Sequence, residues 1–568
     1  MLPTVPKRKR AKKACIPCHQ RKRKCDAEYP CGTCITYEYD CKYADDEAGG
    51  HAPPPTRRVL PPSPDSPDNW MHGAKETRGA AGPSTKSPTV VAATSPGIFD
   101  EQKSRYAGAS AAMAFPHILS MALGSENTSK MHSFAYNFGI RPEEASNPHG
   151  LLGQLISEED LGYYSGVYFT AMGSYGDYMD PVIYAQRCRN YYHHFDNSLV
   201  AFGAVAAGVA ALGSFLCPDK HPRETDLVRY AKDILDDPAS MRMLSIDQII
   251  AWGMRVFYLR ATTRPNNAWI ASCTLMHLLE AIGLHREENI NKMASIAGVA
   301  ATGQDADRLR RIFWLSWTGH HLLCYEFDRS SVHFDVVTCL AVMPMAGSIA
   351  DQFVHIGQII PAPNSPFRLD SQPSTPRDEL IERLKAINKL PYTHPFLVVT
   401  IADVSLCFYR RIYQLNAGIT DEVVKLVIQS GNAAVEAAEQ LASQGLMFWN
   451  AIGSVFQYAC ALLAIDTPAA SPHIATAFRG LENLVKAGDT ELTRRALSMA
   501  RYLLSLSMEK KRRELAQLEA VEASYQFQTQ PEPEANATLP DIGWAEGWDQ
   551  FFFEPYLSMF GPDLHFQE

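Results

Sequence analysis

The sequence predicts four successive regions: a small head stapled through cysteine, a disordered linker, a large all-α domain and a mostly disordered acidic tail. Three observations predict this order. Six of the 13 cysteines crowd into Cys15–Cys41. Residues 47–103 are rich in Pro, Ser, Gly and Thr, without the apolar periodicity that a core requires. From 104 to 527 apolar residues recur at three- and four-residue spacing, the period of amphipathic helices. The regions are therefore read as 1–46, 47–103, 104–527 and 528–568.

The chain has 568 residues, 46% of them hydrophobic and 20% charged, which is enough apolar material for a sizeable core. Its net charge of -9 hides an asymmetry. Lys7 to Lys24 holds ten Lys or Arg and no acid, whereas Glu532 to Glu568 holds eight acids and no Lys or Arg. This pattern predicts a head that binds a polyanion and a tail that meets a protein partner. Met1 is followed by proline-containing and then basic sequence, so no secretory leader is expected and the thiols should be reduced. The uncharged run Leu199–Cys217 reaches membrane-spanning length, but it is mostly Ala, Gly and Val and is followed by Lys220, His221 and Arg223. It is read as a buried helix, and no membrane is expected among the partners.

The cysteine spacing is Cys15-x2-Cys18-x6-Cys25-x5-Cys31-x2-Cys34-x6-Cys41, one C-x2-C-x6-C unit written twice. Structural zinc takes four thiolate or imidazole ligands in a tetrahedron, so two separate ions would need eight. Six cysteines suffice if two of them bridge, and the pseudo-repeat makes Cys15 and Cys31 the natural bridging pair. So short a segment cannot bury enough surface to fold alone, so metal binding should supply much of its folding free energy. Two Zn2+ against six thiolates leave a net negative charge that the flanking Lys and Arg balance. A disulfide knot is excluded by the reducing compartment, and an iron–sulfur site usually takes four cysteines per cluster.

The stretch ACIPCHQRKRKCDAEYPCGTCITYEYDCKY resembles the fungal binuclear zinc-cluster transcription factors. That resemblance implies a short helix lying in the major groove of double-stranded DNA, with Arg21, Lys22, Arg23 and Lys24 reading a CGG-like triplet and Lys22 contacting a base. Cationic donors match the O6 and N7 acceptors of guanine. His19 stands where the family more often has an Arg on a phosphate, so that contact is expected to be weaker or to move to a neighbour. The separate run Lys7, Arg8, Lys9, Arg10, Lys12 and Lys13 is read as a nuclear-import and phosphate-contact segment, placing the protein in the nucleus.

Within the helical region, Ser245 and Thr420 read as N-caps, and Asn267–Leu284 and Asp305–Phe327 as long helices. The proline-dense stretch Asp351–Arg377 reads as a loop. This region also resembles the regulatory region of the same family, through Gly283 to Arg286 at one helix end and Arg310, Arg311, Trp314 and Asp328-Arg329 in the next. The family's Gly-Arg-Pro is replaced by Ser330-Ser331-Val332. No H-E-x-x-H, G-x-S-x-G, G-x-G-x-x-G or P-loop is present, so no enzyme is expected. His320, His321 and Cys324 share part of a helical face but are read as core, as are the seven later cysteines.

Relatives that sense metabolites or drugs imply a small-molecule inducer of this domain. Trp544, Trp548 and the Phe residues that alternate with acids in the tail predict docking to transcriptional coactivators, with packing back on the helices as the rival reading. Residues 46–100 show no heptads, so the protein either binds as a monomer or forms a homodimer elsewhere, with Leu503–Leu518 as the candidate. Together these features predict a sequence-specific regulator of RNA polymerase II transcription, an activator. The alternatives are a repressor, or a metabolite-binding or enzymatic helical protein with an accessory zinc module.

Overall fold

The computed structural model describes residues 14–20, 25, 31, 34, 98–100, 105–108, 111, 145 and 150–526, apart from 239, 241–242, 371 and 416–417. Cys41, Arg21–Lys24, Lys7–Lys13, most of the stretch read as linker and the acidic tail lie outside the described residues. The chain separates into two compact units, Met1–Val91 and Ala92–Glu568. In the first, helix α1 (Ile16–Gln20) carries the second cysteine.

The second unit begins with a hairpin that helical periodicity does not signal, strand β1 (Ile98–Asp100) pairing antiparallel with β2 (Arg105–Ala107) so that Phe99 faces Tyr106. It straddles residue 103, where the sequence changes texture. Tyr106 packs edge-on against His285, and the Arg286 guanidinium lies 5.0 Å from its ring centroid.

A first group of helices follows: α2 (Glu158–Gly176), α3 (Pro181–His193), α4 (Val200–Leu216), α5 (Glu224–Leu235), α6 (Ile246–Thr262), α7 (Pro265–Ile282), α8 (Glu287–Ser295), α9 (Ala297–Ala300) and α10 (Ala306–Glu326). Their boundaries follow from local chemistry. Ser245 forms a capping box with Gln248 at the start of α6, and Asp305 accepts the Arg308 N–H at the start of α10. Helix α7 stops at Gly283, whose φ of 81° lies in the left-handed region and whose successor Leu284 donates to the Leu279 carbonyl. The apolar run read as a buried helix is α4, almost wholly buried, and among the described residues no helix is long and apolar enough to cross a membrane.

The second group comprises α11 (Ala350–Gln358), α12 (Pro376–Asn388), α13 (Pro395–Gln414), α14 (Asp421–Ser443), α15 (Trp449–Ile465), α16 (Ser471–Ala487) and α17 (Glu491–Gln526). Thr420 caps α14 as its sequence predicts. The stretch read as a loop needs correction, because Asp351–Gln358 is helical and the second helix already starts at Pro376. The prolines begin only at Pro361, and Pro376 occupies the first helical position, where no backbone N–H is needed.

Two hydrophobic cores result. One gathers α2 to α8 and α10 around Phe202, Phe313 and Trp317; the other gathers α11 to α17 around Phe408, Val427 and Tyr458. Helix α10 serves both: Leu309, Phe313 and Trp317 enter the first, while Leu322 and Tyr325 pack on the second.

Between α10 and α11 the chain runs as an irregular strap held by individual hydrogen bonds. Trp269 Nε1 donates to the Ser330 carbonyl (3.1 Å), Trp314 Nε1 to Leu340 (2.8 Å) and Arg311 Nη2 to Met343 (2.6 Å). The His285 carbonyl accepts the N–H groups of Thr338 and Cys339. Ser330-Ser331-Val332 therefore hold the loop through backbone groups where the family's Gly-Arg-Pro is missing.

Candidate metal centre and nucleic-acid interface

The sulfurs of Cys15, Cys18, Cys31 and Cys34 all lie within 4.8 Å of one another, and all four side chains are buried. Helix α1 sets the first half of this arrangement: it begins beside Cys15, and the His19 N–H donates to the Cys15 carbonyl, which closes one turn and aims Cys15 and Cys18 the same way. The Cys15–Cys31, Cys15–Cys34 and Cys18–Cys31 sulfur separations are 3.7, 3.6 and 3.6 Å. Two thiolates about 2.3 Å from one tetrahedral zinc stand about 3.8 Å apart, so these spacings fit the ion without rearrangement. Cys15 and Cys31 each take part in two of the three close approaches.

Backbone amides complete the site. The Cys15 N–H points at the Cys25 sulfur (3.5 Å) and the Cys34 N–H at the Cys31 sulfur (3.4 Å), contacts that favour thiolate over thiol. Burial pushes the Cys15 and Cys18 thiols up. Cys31 meets the same burial, but the Cys34 amide and the neighbouring thiols outweigh it and bring it down to about 6. With zinc bound, the ion supplies the charge that keeps all of these sulfurs ionised.

His19 is exposed on α1, and in the sequence the basic segment Arg21–Lys24 lies between the last residue of that helix and Cys25. Both anchors of the segment are thus set by the cluster, while its own four residues lie outside the described ones.

The histidines and cysteines of the helical unit have different partners. His320 Nε2 accepts the Val332 N–H (2.8 Å), so the proton sits on Nδ1, which is 2.9 Å from Ser272 Oγ. His321 stacks on Trp317 with ring centroids 3.9 Å apart and bonds the Trp317 carbonyl through Nδ1. Burial depresses His320 to about 3 and His321 to about 4. His193 is exposed beside Glu158. Of the later cysteines, Cys188, Cys217, Cys324, Cys339 and Cys407 are buried, and Cys273 and Cys460 are half-buried.

Sequence reasoning does not reach a cavity of about 250 Å³, lined by residues of α2, α4, α6, α7, α10, α11, α13 and α15. Its charged lining residues are Arg260, Glu326 and Asp403, which come from three helices far apart in the chain.

A buried tetrathiol with zinc spacing, opening directly into a basic segment and followed by a large helical unit, defines a zinc-cluster DNA-binding transcription regulator. Residues 13–48 match the fungal Zn(2)-Cys(6) binuclear cluster domain. Over 516 residues, 90% of this chain and 92% of the relative, the sequence is 39% identical to Protein RDR1 of Saccharomyces cerevisiae. It is 29% identical over 514 residues to the transcription factor kojR of Aspergillus oryzae, covering 90% of this chain and 86% of that protein. A probable transcriptional repressor of Schizosaccharomyces pombe is 44% identical over 62 residues, 11% of this chain and 16% of its own. The chain belongs to the fungal Zn(2)-Cys(6) binuclear-cluster transcription factors.

Proposed function

We propose that this protein is a nuclear activator of RNA polymerase II transcription that reads CGG-like triplets in the major groove. Six cysteines, Cys15, Cys18, Cys25, Cys31, Cys34 and Cys41, hold two zinc ions, with Cys15 and Cys31 shared between them. Lys22 contacts the guanine edge, Arg21, Arg23 and Lys24 flank it, and His19 lies toward the phosphates. Lys7, Arg8, Lys9, Arg10, Lys12 and Lys13 serve nuclear import and add backbone contacts.

The observation that carries this reading is the tethering of the basic segment between Cys18, buried in the thiol cluster, and Cys25, whose sulfur meets the Cys15 amide. A cationic run held at both ends by a metal-stapled fold has a fixed presentation, which a free nuclear-import peptide lacks. Fixed presentation is what base readout requires.

The helical unit is proposed to control activity through a small-molecule effector, supported by the cavity at the junction of its two cores. The tail from residue 528 is proposed to recruit coactivators, supported by its alternation of acids with aromatics. Homodimerisation through α17 is supported by Leu506, Leu515, Leu518 and Tyr525, all exposed along that helix.

Selection of binding sites from random duplexes by the purified full chain, at two salt concentrations, tests the reading directly. Enrichment of a G-rich triplet supports it, and equal recovery of all sequences defeats it. Fusion of residues 528–568 to a neutral DNA-binding head separates activator from repressor: no gain of reporter transcription would favour repression.

A further inference from the structure

The junction between the two cores contains an aromatic wall with one acid left over. Tyr175 meets Phe396 edge-on at 4.7 Å between centroids, Phe257 meets Phe448 at 5.9 Å and Trp449 at 5.2 Å, and all five rings line the cavity. Among the charged lining residues, Arg260 is paired with Glu326 through Nη2, at 2.8 and 3.0 Å from the two carboxylate oxygens, while its buried Nε–H has no hydrogen-bond partner among the described residues. Its guanidinium also lies 4.7 Å from the Trp449 ring centroid. Arg410, the other nearby cation, donates to Gln457 and to the Cys407 sulfur. Asp403 also lines the cavity, half-buried, and no donor among the described residues hydrogen-bonds its carboxylate.

A half-buried carboxylate to which the protein offers no donor is disfavoured in its charged form, and a partner that brings a donor removes that cost. The surrounding rings select among such partners. Aromatic faces attract cations and pack flat apolar groups, whereas an anion would meet both Asp403 and Glu326. A neutral apolar molecule would fill the space and leave Asp403 as it is.

From this geometry we infer that the cavity is a binding site for an apolar aromatic amine, whose protonated nitrogen is held by Asp403 while its ring system packs among Tyr175, Phe257, Phe396, Phe448 and Trp449. Burial, which pushes the Asp403 carboxyl up to about 7, with Glu326 adding to the push and Arg410 and Arg260 opposing it, is the strain that such a cation relieves. The inference rests on the sensor reading of the helical unit only for what binding does to transcription. Binding itself stands apart.

The test titrates the full chain with 1-pyrenemethylamine, 1-pyrenemethanol and 1-pyrenecarboxylate, following quenching of tryptophan emission and confirming affinities by calorimetry. At pH 7.5 the amine is expected to bind about tenfold or more tightly than the alcohol, and the carboxylate least tightly. Asp403→Asn should abolish the amine's advantage and leave the alcohol's affinity unchanged. In the unaltered chain the same advantage should shrink as pH falls below about 6, because Asp403 then holds a proton; this arm needs no variant to fold. Equal binding of the three compounds, no binding of any, or an amine preference that survives in Asp403→Asn would overturn the proposal. A reporter assay separates the two readings: an amine that binds as described without altering transcription sinks the sensor reading alone, while a transcriptional response without amine preference sinks the ligand class alone.

Discussion

The ring of His320 accepts the backbone N–H of Val332 at 2.8 Å and fixes the start of the strap that covers α10. Ser272 closes the other side, its Oγ accepting from His320 Nδ1–H at 2.9 Å and its hydroxyl donating to the Trp269 carbonyl at 2.8 Å. This relay demands a neutral imidazole. Replacing His320 with Ala should cost about 2–4 kcal/mol, because it opens a cavity, leaves the Val332 amide without its acceptor and removes the donor to Ser272 Oγ. Urea unfolding of the helical unit at pH 7.5 measures it; a change below about 0.5 kcal/mol would show the relay to be dispensable.

The same histidine predicts a pH dependence. Burial depresses His320 to about 3, and His321 and His285 to about 4, from an ordinary value of 6.5. Above pH 6.5 all three are neutral in both folded and unfolded chains, and their stabilising contribution is complete. As pH falls from 6.5 toward 4 the unfolded chain takes up protons that the folded chain refuses, so stability declines through that window. Unfolding free energy measured at pH 7.5, 6 and 5 should fall progressively. His321→Gln should flatten the decline.

Packing between α2 and α4 leaves no room for a side chain at Gly213, where a β-carbon would stand 1.9 Å from the Tyr164 carbonyl oxygen. Gly213→Ala must therefore spread the two helices, at a cost of about 1–3 kcal/mol. Gly166, exposed on α2 with open space around it, is the contrast. Gly166→Ala should gain about 0.5–1 kcal/mol from helix propensity alone. Thermal denaturation of the two variants checks the opposite signs.

Much of this architecture is legible in the sequence because its signals are local. The doubled C-x2-C-x6-C spacing marks the thiol cluster, and Ser245, Asp305 and Thr420 mark helix starts, each signal lying within a few residues of the feature it predicts. What escapes is non-local. Arg260, Glu326 and Asp403 carry no shared motif and meet only because three helices converge. The strap from Asp328 to Ile349 has no period at all; its conformation is written in single hydrogen bonds from Trp269, Arg311 and Trp314. Helix Ala350–Gln358 is hidden for another reason, since prolines following it give the whole stretch the composition of a loop.

If Cys15 and Cys31 are shared between two ions, their loss must differ in kind from the loss of an outer ligand. The full chain should bind about two zinc ions, Cys15→Ser should disturb both sites, and Cys18→Ser should leave one tetrahedron with its ligands intact. Zinc per chain, measured after dialysis, should therefore fall further in Cys15→Ser than in Cys18→Ser. Equal losses would argue against sharing. Chelation should unfold the head and spare the helical unit, whose far-ultraviolet circular dichroism should be almost unchanged.

Base readout and phosphate contact leave different marks on binding, and the two basic runs should show them separately. Lys22→Ala removes a donor proposed to meet a guanine edge, so affinity for the selected site should drop by about 1–3 kcal/mol while affinity for random duplex changes much less. Lys9→Ala removes only charge near the backbone. It should weaken selected and random duplexes alike and reduce the slope of log affinity against log salt by about 1. Titrations of both variants with both duplexes at several salt concentrations distinguish the roles. If Lys22→Ala weakens all sequences equally, the segment between Cys18 and Cys25 contributes charge without reading sequence, and specificity must come from elsewhere in the head.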